Sequence, residues 1–143
     1  MIENEKENRY KELYLDIALR VSQMSHCLKR KVGCVIVRDG RILSMGWNGM
    51  PNGFDNVCEL GQETNPEVIH AEGNALAKLA CSTDSSEGAS VYTTTSPCVE
   101  CAKLLIQSKV NEVIFQDSYH DTMGIELLTK GGVDVYHYNR TDE

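Results

Sequence analysis

No stretch of this 143-residue chain reaches 18 consecutive apolar residues, so no segment is fit to cross a bilayer as a helix. The N-terminal run MIENEKENRYKE lacks the apolar region of a secretory signal. The expectation is a cytoplasmic protein with no membrane partner. Basic residues are outnumbered: 14 Lys and Arg stand against 21 Asp and Glu, a formal net charge of −7. A chain of that sign repels nucleic-acid backbones unless it hides a basic patch. A small anion can still be held by a few placed cations or a helix N-terminus. Repeats, low-complexity tracts and linkers are also missing, which points to a single domain, 1–143. Hydrophobic residues make up 41% of the chain and charged ones 24%, so it can bury a core and is not a disordered composition.

Cysteine is not scarce. Six are present, and in a cytoplasmic chain they read as metal ligands and buried thiols rather than disulfides.

The apolar residues Tyr10, Leu13, Tyr14, Ile17, Ala18 and Val21 recur at helical spacing, which predicts an amphipathic helix over 9–25. VGCVIV (32–37) and ILSMGWN (42–48) flank Asp39-Gly40, a hairpin signal. Residues 49–68 hold three Gly, two Pro and three Asn and read as one long loop, the kind that usually carries function. Beyond it helices alternate with strands: helix 71–80, strand 89–95, helix 98–108, strand 111–117, helix 121–130 closed by Gly131-Gly132, strand 133–138. Strand–helix alternation implies parallel neighbours, and the opening hairpin is antiparallel. The expected fold is α/β: a mixed, roughly five-stranded sheet in a three-layer α-β-α sandwich.

Two phrases carry chemistry. HAEGNA starts at His70, and SPCVEC places Cys98 28 positions after that histidine. Both fall where a helix begins, the place where open α/β sheets form ligand sites. One imidazole and two thiolates suit Zn²⁺, one per chain, and three protein ligands leave the fourth position open, as in catalytic zinc. The positive ends of two helices favour the thiolates of Cys98 and Cys101. Glu72, two residues past the histidine, is placed to carry a proton without being a ligand.

His70-Ala71-Glu72 followed by Pro97-Cys98-Val99-Glu100-Cys101 is the full H-x-E…P-C-x-x-C signature of zinc deaminases. Around it the chain resembles the deoxycytidylate deaminases of the cytidine deaminase superfamily, from RKVGCVIV to the last strand. GWNGMPNG (46–53), SPCVECAKLLIQS (96–108), VIFQDSYHD (113–121) and GGVDVYHY (131–138) carry that resemblance. It implies hydrolysis of dCMP to dUMP and ammonia, with dUMP feeding thymidylate synthesis. Asn48 matches a residue that holds the deoxyribose 3′-hydroxyl and part of the base. Tyr119 matches an aromatic of the pocket. Ala71, Thr95 and Ser96 match backbone that reads the base edge. Lys29, within LKRK (28–31), and His120 match phosphate contacts. The resemblance also implies a homo-oligomer, typically a hexamer. It further implies activation by dCTP and inhibition by dTTP, with Mg²⁺, at a loop containing Gly46, Asn48, Gly49, Asn52 and Gly53.

This chain departs from its relatives at Gly73, where a larger apolar residue is usual. Some relatives bind a second, structural zinc, for which Cys27 and Cys58 are candidates here, although no histidine lies between Cys58 and His70. Otherwise Cys27, Cys34 and Cys81 read as small buried residues. Trp47 is as consistent with packing as with base stacking. His26 and His137 are expected at the surface or an interface. Two other readings stand beside the main one. A nucleic-acid deaminase, such as one acting on a tRNA adenosine, shares the zinc motif but needs a basic surface. A zinc staple without catalysis needs no proton carrier, and Glu72 argues against it.

Overall fold

Residues 2–139 are described in the computed structural model; the ends of the expected 1–143 domain lie outside them. In chain order the elements are α1 (Ile2–Ser22), β1 (Gly33–Arg38), β2 (Arg41–Trp47), β3 (Glu59–Leu60), β4 (Glu63–Thr64), α2 (Ala71–Ala80), β5 (Ser90–Thr95), α3 (Val99–Gln107), β6 (Glu112–Asp117), α4 (Met123–Lys130) and β7 (Asp134–His137). Five strands form one sheet in the order β2-β1-β5-β6-β7. β1 pairs antiparallel with both β2 and β5, and the pairs β5–β6 and β6–β7 are parallel. Asp39 and Gly40 turn the opening hairpin with φ of 53° and 74°, the mirror-image turn that matches strand twist.

The period of a strand divides the core. Cys34 and Ile36 of β1 face one cluster, built with Ala75 and Leu79 of α2, Leu105 of α3 and Leu128 of α4. Val35 and Val37 face the other, built with Tyr14, Leu15 and Ala18 of α1. Successive side chains point to opposite faces, so one strand feeds both layers. The result is the expected mixed three-layer sandwich, with one helix below the sheet and three above. Leu105 is fully buried, and truncating such a side chain to Ala costs about 2–5 kcal/mol.

Four expectations need correction. α1 starts at Ile2 and stops at Ser22 rather than running 9–25. Its first turns have no apolar stripe to announce them, yet Glu, Lys and Arg are good helix formers. The segment 49–68 is not one loop: β3 and β4 make a small antiparallel hairpin, and Gly49 bridges Ile69. Strands of two residues are too short to show alternation. Cys27 and Cys58 are not separate thiols or zinc ligands but a disulfide, Cα–Cα 5.2 Å, across 31 positions of sequence. The segment after α1 runs against β3, a contact that no local pattern encodes. Finally, Cys81 is exposed while Cys34 is buried; Cys81 follows the last residue of α2, where the chain turns outward.

Candidate active site

His70 and Cys98 are the N-cap residues of α2 and α3, both with extended backbone (φ −72°, ψ 159° and φ −78°, ψ 175°). Extended caps project their side chains off the helix ends instead of along the helices. Cys101 lies one turn inside α3 and reaches the same point. Both cysteine sulfurs lie 3.4 Å from His70 Nδ1, and the three ligand atoms fall within 4.8 Å of one another. With Zn–S near 2.3 Å and Zn–N near 2.0 Å, a tetrahedral site has N–S edges of about 3.5 Å. The donor set therefore fits zinc in chemistry and in span. Gly124, at the start of α4, lets that helix press on the turn before α3: a Cβ there would come within 2.1 Å of the Pro97 carbonyl oxygen.

The electrostatics suit a cation. Cys98 is held down at about 3, first by a hydrogen bond from the Cys101 thiol and then by His70. Cys101 is pushed up, mainly by that same bond to Cys98 and then by burial. The contact between the two sulfurs thus favours the thiolate at Cys98 and the thiol at Cys101. His70 is raised, first by its bond to Cys98. Glu72, on the first turn of α2, is 4% exposed. Burial raises its carboxyl above the ordinary value, opposed by a backbone hydrogen bond and by His70. It sits beside the cluster without being one of the three grouped ligands.

The cluster opens into a cleft of ≈ 370 Å³. Of the sequence-derived substrate residues, Asn48, Ala71, Thr95, Ser96, Tyr119, Lys29 and His120 all line it. Their roles are not equal. Ser96 Oγ accepts the Tyr119 N–H at 2.7 Å, which ties the β5 turn to the segment after β6. Asn48 spends its side chain on backbone: Oδ1 accepts from Val32 N at 2.9 Å and Nδ2 donates to Arg30 O at 2.8 Å. Lys29 turns its ammonium to the Gln62 carbonyl. Arg30, at the cleft, stands over the Tyr119 ring at 5.5 Å.

The match to known proteins follows this geometry. Residues 8–117 match the model for the cytidine and deoxycytidylate deaminase zinc-binding region. The chain belongs to the cytidine and deoxycytidylate deaminase family. It is 32% identical to the deoxycytidylate deaminase of Saccharomyces cerevisiae over 142 residues, which cover 91% of this chain and 45% of that protein. Against the deoxycytidylate deaminase of Enterobacteria phage T4 the identity is 31%, covering 86% of each. The chain therefore spans under half of the yeast relative and most of the phage one. Its structure is similar to that of a dCMP deaminase from the cyanophage S-TIM5 in complex with dCMP and dUMP. There the TM-score is 0.89 and the identity 44%, covering 91% of this chain and 97% of that one.

Within this deaminase domain, Val32, Glu59, Thr64 and Val68 also line the cleft and were not singled out from the sequence. Arg30, another lining residue, was covered only as one of the LKRK cations without being separated from its neighbours. An irregular segment has no period, so sequence does not say which of four neighbours faces inward. Other residues have plain packing roles. A Cβ on Gly46 would lie 2.5 Å from both Ala71 O and Ala75 N, so Gly46 is where α2 lies directly on β2. Trp47 packs against the α1 cluster with the Lys78 ammonium 4.1 Å over its ring. His137 stacks on Phe115 at 4.8 Å and meets Gln116 O at 2.8 Å.

Proposed function

We propose that this chain hydrolyses dCMP to dUMP and ammonia. The observation that carries the reading is one cleft with two kinds of end. A His-Cys-Cys cluster and a buried carboxylate stand at its floor, and Lys29, Arg30 and His120 stand elsewhere on its wall. His70, Cys98 and Cys101 would hold a zinc ion, which when bound would supply the charge that lowers the pKa of a water toward about 7. Glu72 takes a proton from the attacking water, whose oxygen adds at C4 of the cytosine. Glu72 passes that proton to N3, then takes the remaining proton from the new C4 hydroxyl and delivers it to the amino group, so that the C4–N bond breaks, ammonia leaves and C4–O becomes the carbonyl of dUMP. Burial raises its carboxyl above the ordinary value, the direction that helps a carboxylate return the proton it has accepted. Thr95 and Ser96 frame the base, Tyr119 supplies an aromatic wall, and the cations offset about two phosphate charges. Asn48 offers its remaining lone pair and N–H to the sugar.

The reading extends to a cytoplasmic homo-oligomer, a hexamer, supplying dUMP for thymidylate synthesis. It also extends to control by dCTP and dTTP with Mg²⁺ at the loop around Gly46, Asn48, Gly49, Asn52 and Gly53. What supports the loop's part is local: Gly49 and Gly53 have open space where a Cβ would be, and Gly53 has φ +86°. Such backbone can offer N–H groups to phosphate. The decisive experiment mixes zinc-loaded protein with dCMP, deoxycytidine and a tRNA adenosine substrate, following ultraviolet absorbance. Turnover of dCMP above the others is expected; an inert dCMP mixture would end the reading.

A further inference from the structure

Residues 23–32, between α1 and β1, form no helix or strand, so side chains must hold this arm in place. Several do. Asn48 bonds the backbone of Arg30 and Val32, and Ser25 Oγ donates to Asn48 O at 2.8 Å. The Cys27–Cys58 disulfide fixes its middle. Another tether is Glu59, whose Oε2 accepts the N–H of Leu28 at 3.0 Å and of Lys29 at 3.1 Å.

A carboxylate in that position needs a reason. Glu59 lines the same cleft as Lys29, Arg30 and His120, where an unspent negative charge would oppose a phosphate. Both bonds go to one oxygen from consecutive amides, an arrangement that offsets the charge and fixes the backbone direction. Arg30 follows immediately. Among the described residues no acceptor holds its guanidinium, which stands over Tyr119. Lys29 and Lys31, by contrast, donate to the carbonyls of Gln62 and Ser25.

We propose that Glu59 is a positioning residue for the phosphate end of the substrate, acting through the amides of Leu28 and Lys29 to present Arg30 at the cleft. The proposal rests on the dCMP reading above. It assigns Glu59 no contact with the reacting atoms, so its effect belongs in phosphate-dependent binding and not in turnover.

The test compares parent, Glu59→Ala, Glu59→Gln and Arg30→Ala as zinc-loaded proteins. Glu59→Ala should raise KM for dCMP about tenfold, one lost charge-assisted contact, with kcat within about twofold. Any rate on deoxycytidine should stay near the parent's, since that substrate has no phosphate. Glu59→Gln keeps an acceptor oxygen and should recover most of the loss. Arg30→Ala should raise the dCMP KM, and adding Glu59→Ala to it should cost little more, because both act on one contact. An unchanged dCMP KM in Glu59→Ala, or equal losses on both substrates, would overturn the role of Glu59 while leaving the deaminase reading intact. A parent without dCMP turnover would instead remove the reading, and the proposal with it.

Discussion

A group that works as a base must be able to ionise, and Glu72 has been put where ionising is costly. Burial raises its carboxyl, and only partial compensation comes from a backbone bond and His70. With its folded pKa raised, the stability tied to the protonated form is complete below the unfolded value near 4.3 and is lost as pH rises through the folded value. In metal-free protein, Glu72→Gln should therefore melt above the parent at pH 7, by a few degrees on the order of 1 kcal/mol. The gap should close as pH falls toward 4; a constant gap would show that desolvation is not its cause. Activity should move the other way. Zinc-loaded Glu72→Ala should keep metal and fold and lose about 10²–10⁴ in kcat, the usual worth of positioned proton transfer; near-parental turnover would exclude the role. At the ligands, alanine at His70, Cys98 or Cys101 should drop bound zinc well below one per chain by elemental analysis. Melting should fall too, because the metal ties α2 to α3.

At the scale of elements, the site is made by how closely α2 lies on the sheet. Gly46 permits that approach, with a backbone atom only 2.5 Å from a would-be Cβ on either side. Asn74 Nδ2 holds Trp47 O at 2.6 Å and Ser44 Oγ holds Ala75 O at 2.7 Å, so the seam is polar as well as tight. Gly46→Ala should push α2 away, lowering stability by about 1–3 kcal/mol or more and displacing His70 from the cysteines. Gly73 is the opposite case. A Cβ there meets only Ile69 Cγ2, at 3.4 Å, so Gly73→Ala should gain about 1 kcal/mol of helix propensity. Thermal melts of the two variants should bracket the parent. A destabilised Gly73→Ala would mean that something outside this chain occupies the space at Gly73.

The whole molecule has a net charge of −7 and carries apolar side chains in the open on one segment: Phe54, Val57 and Leu60 are each about half exposed. They flank the loop proposed to take nucleotide. If an oligomer seats there, as the proposed function requires, cooperativity would need the residues that frame Asn48 to have two arrangements. Rate against dCMP should then be sigmoidal, become hyperbolic with dCTP and Mg²⁺, and fall with dTTP. Sedimentation should show one assembly larger than a monomer. A monomer with hyperbolic kinetics indifferent to both triphosphates would discard regulation and leave simple catalysis.

Sequence alone determined the elements whose signals are local. The two β-rich runs VGCVIV and ILSMGWN around an Asp-Gly turn predicted the hairpin, and α2 runs over 71–80 as predicted, because strand composition, helical period and turn chemistry act within a few residues. It also named the residues of the floor: the structure brings the ligand atoms of His70, Cys98 and Cys101 within 4.8 Å of one another, with Glu72 buried on the first turn of α2. Only the tertiary structure decided the cleft wall. That Cys27 meets Cys58, that Lys29 turns to Gln62 while Arg30 faces Tyr119, and that Glu59 clasps two amides are long-range contacts made by irregular segments and a two-residue strand. Such segments carry no periodicity, so their side-chain directions are set by what they pack against rather than by what they are made of.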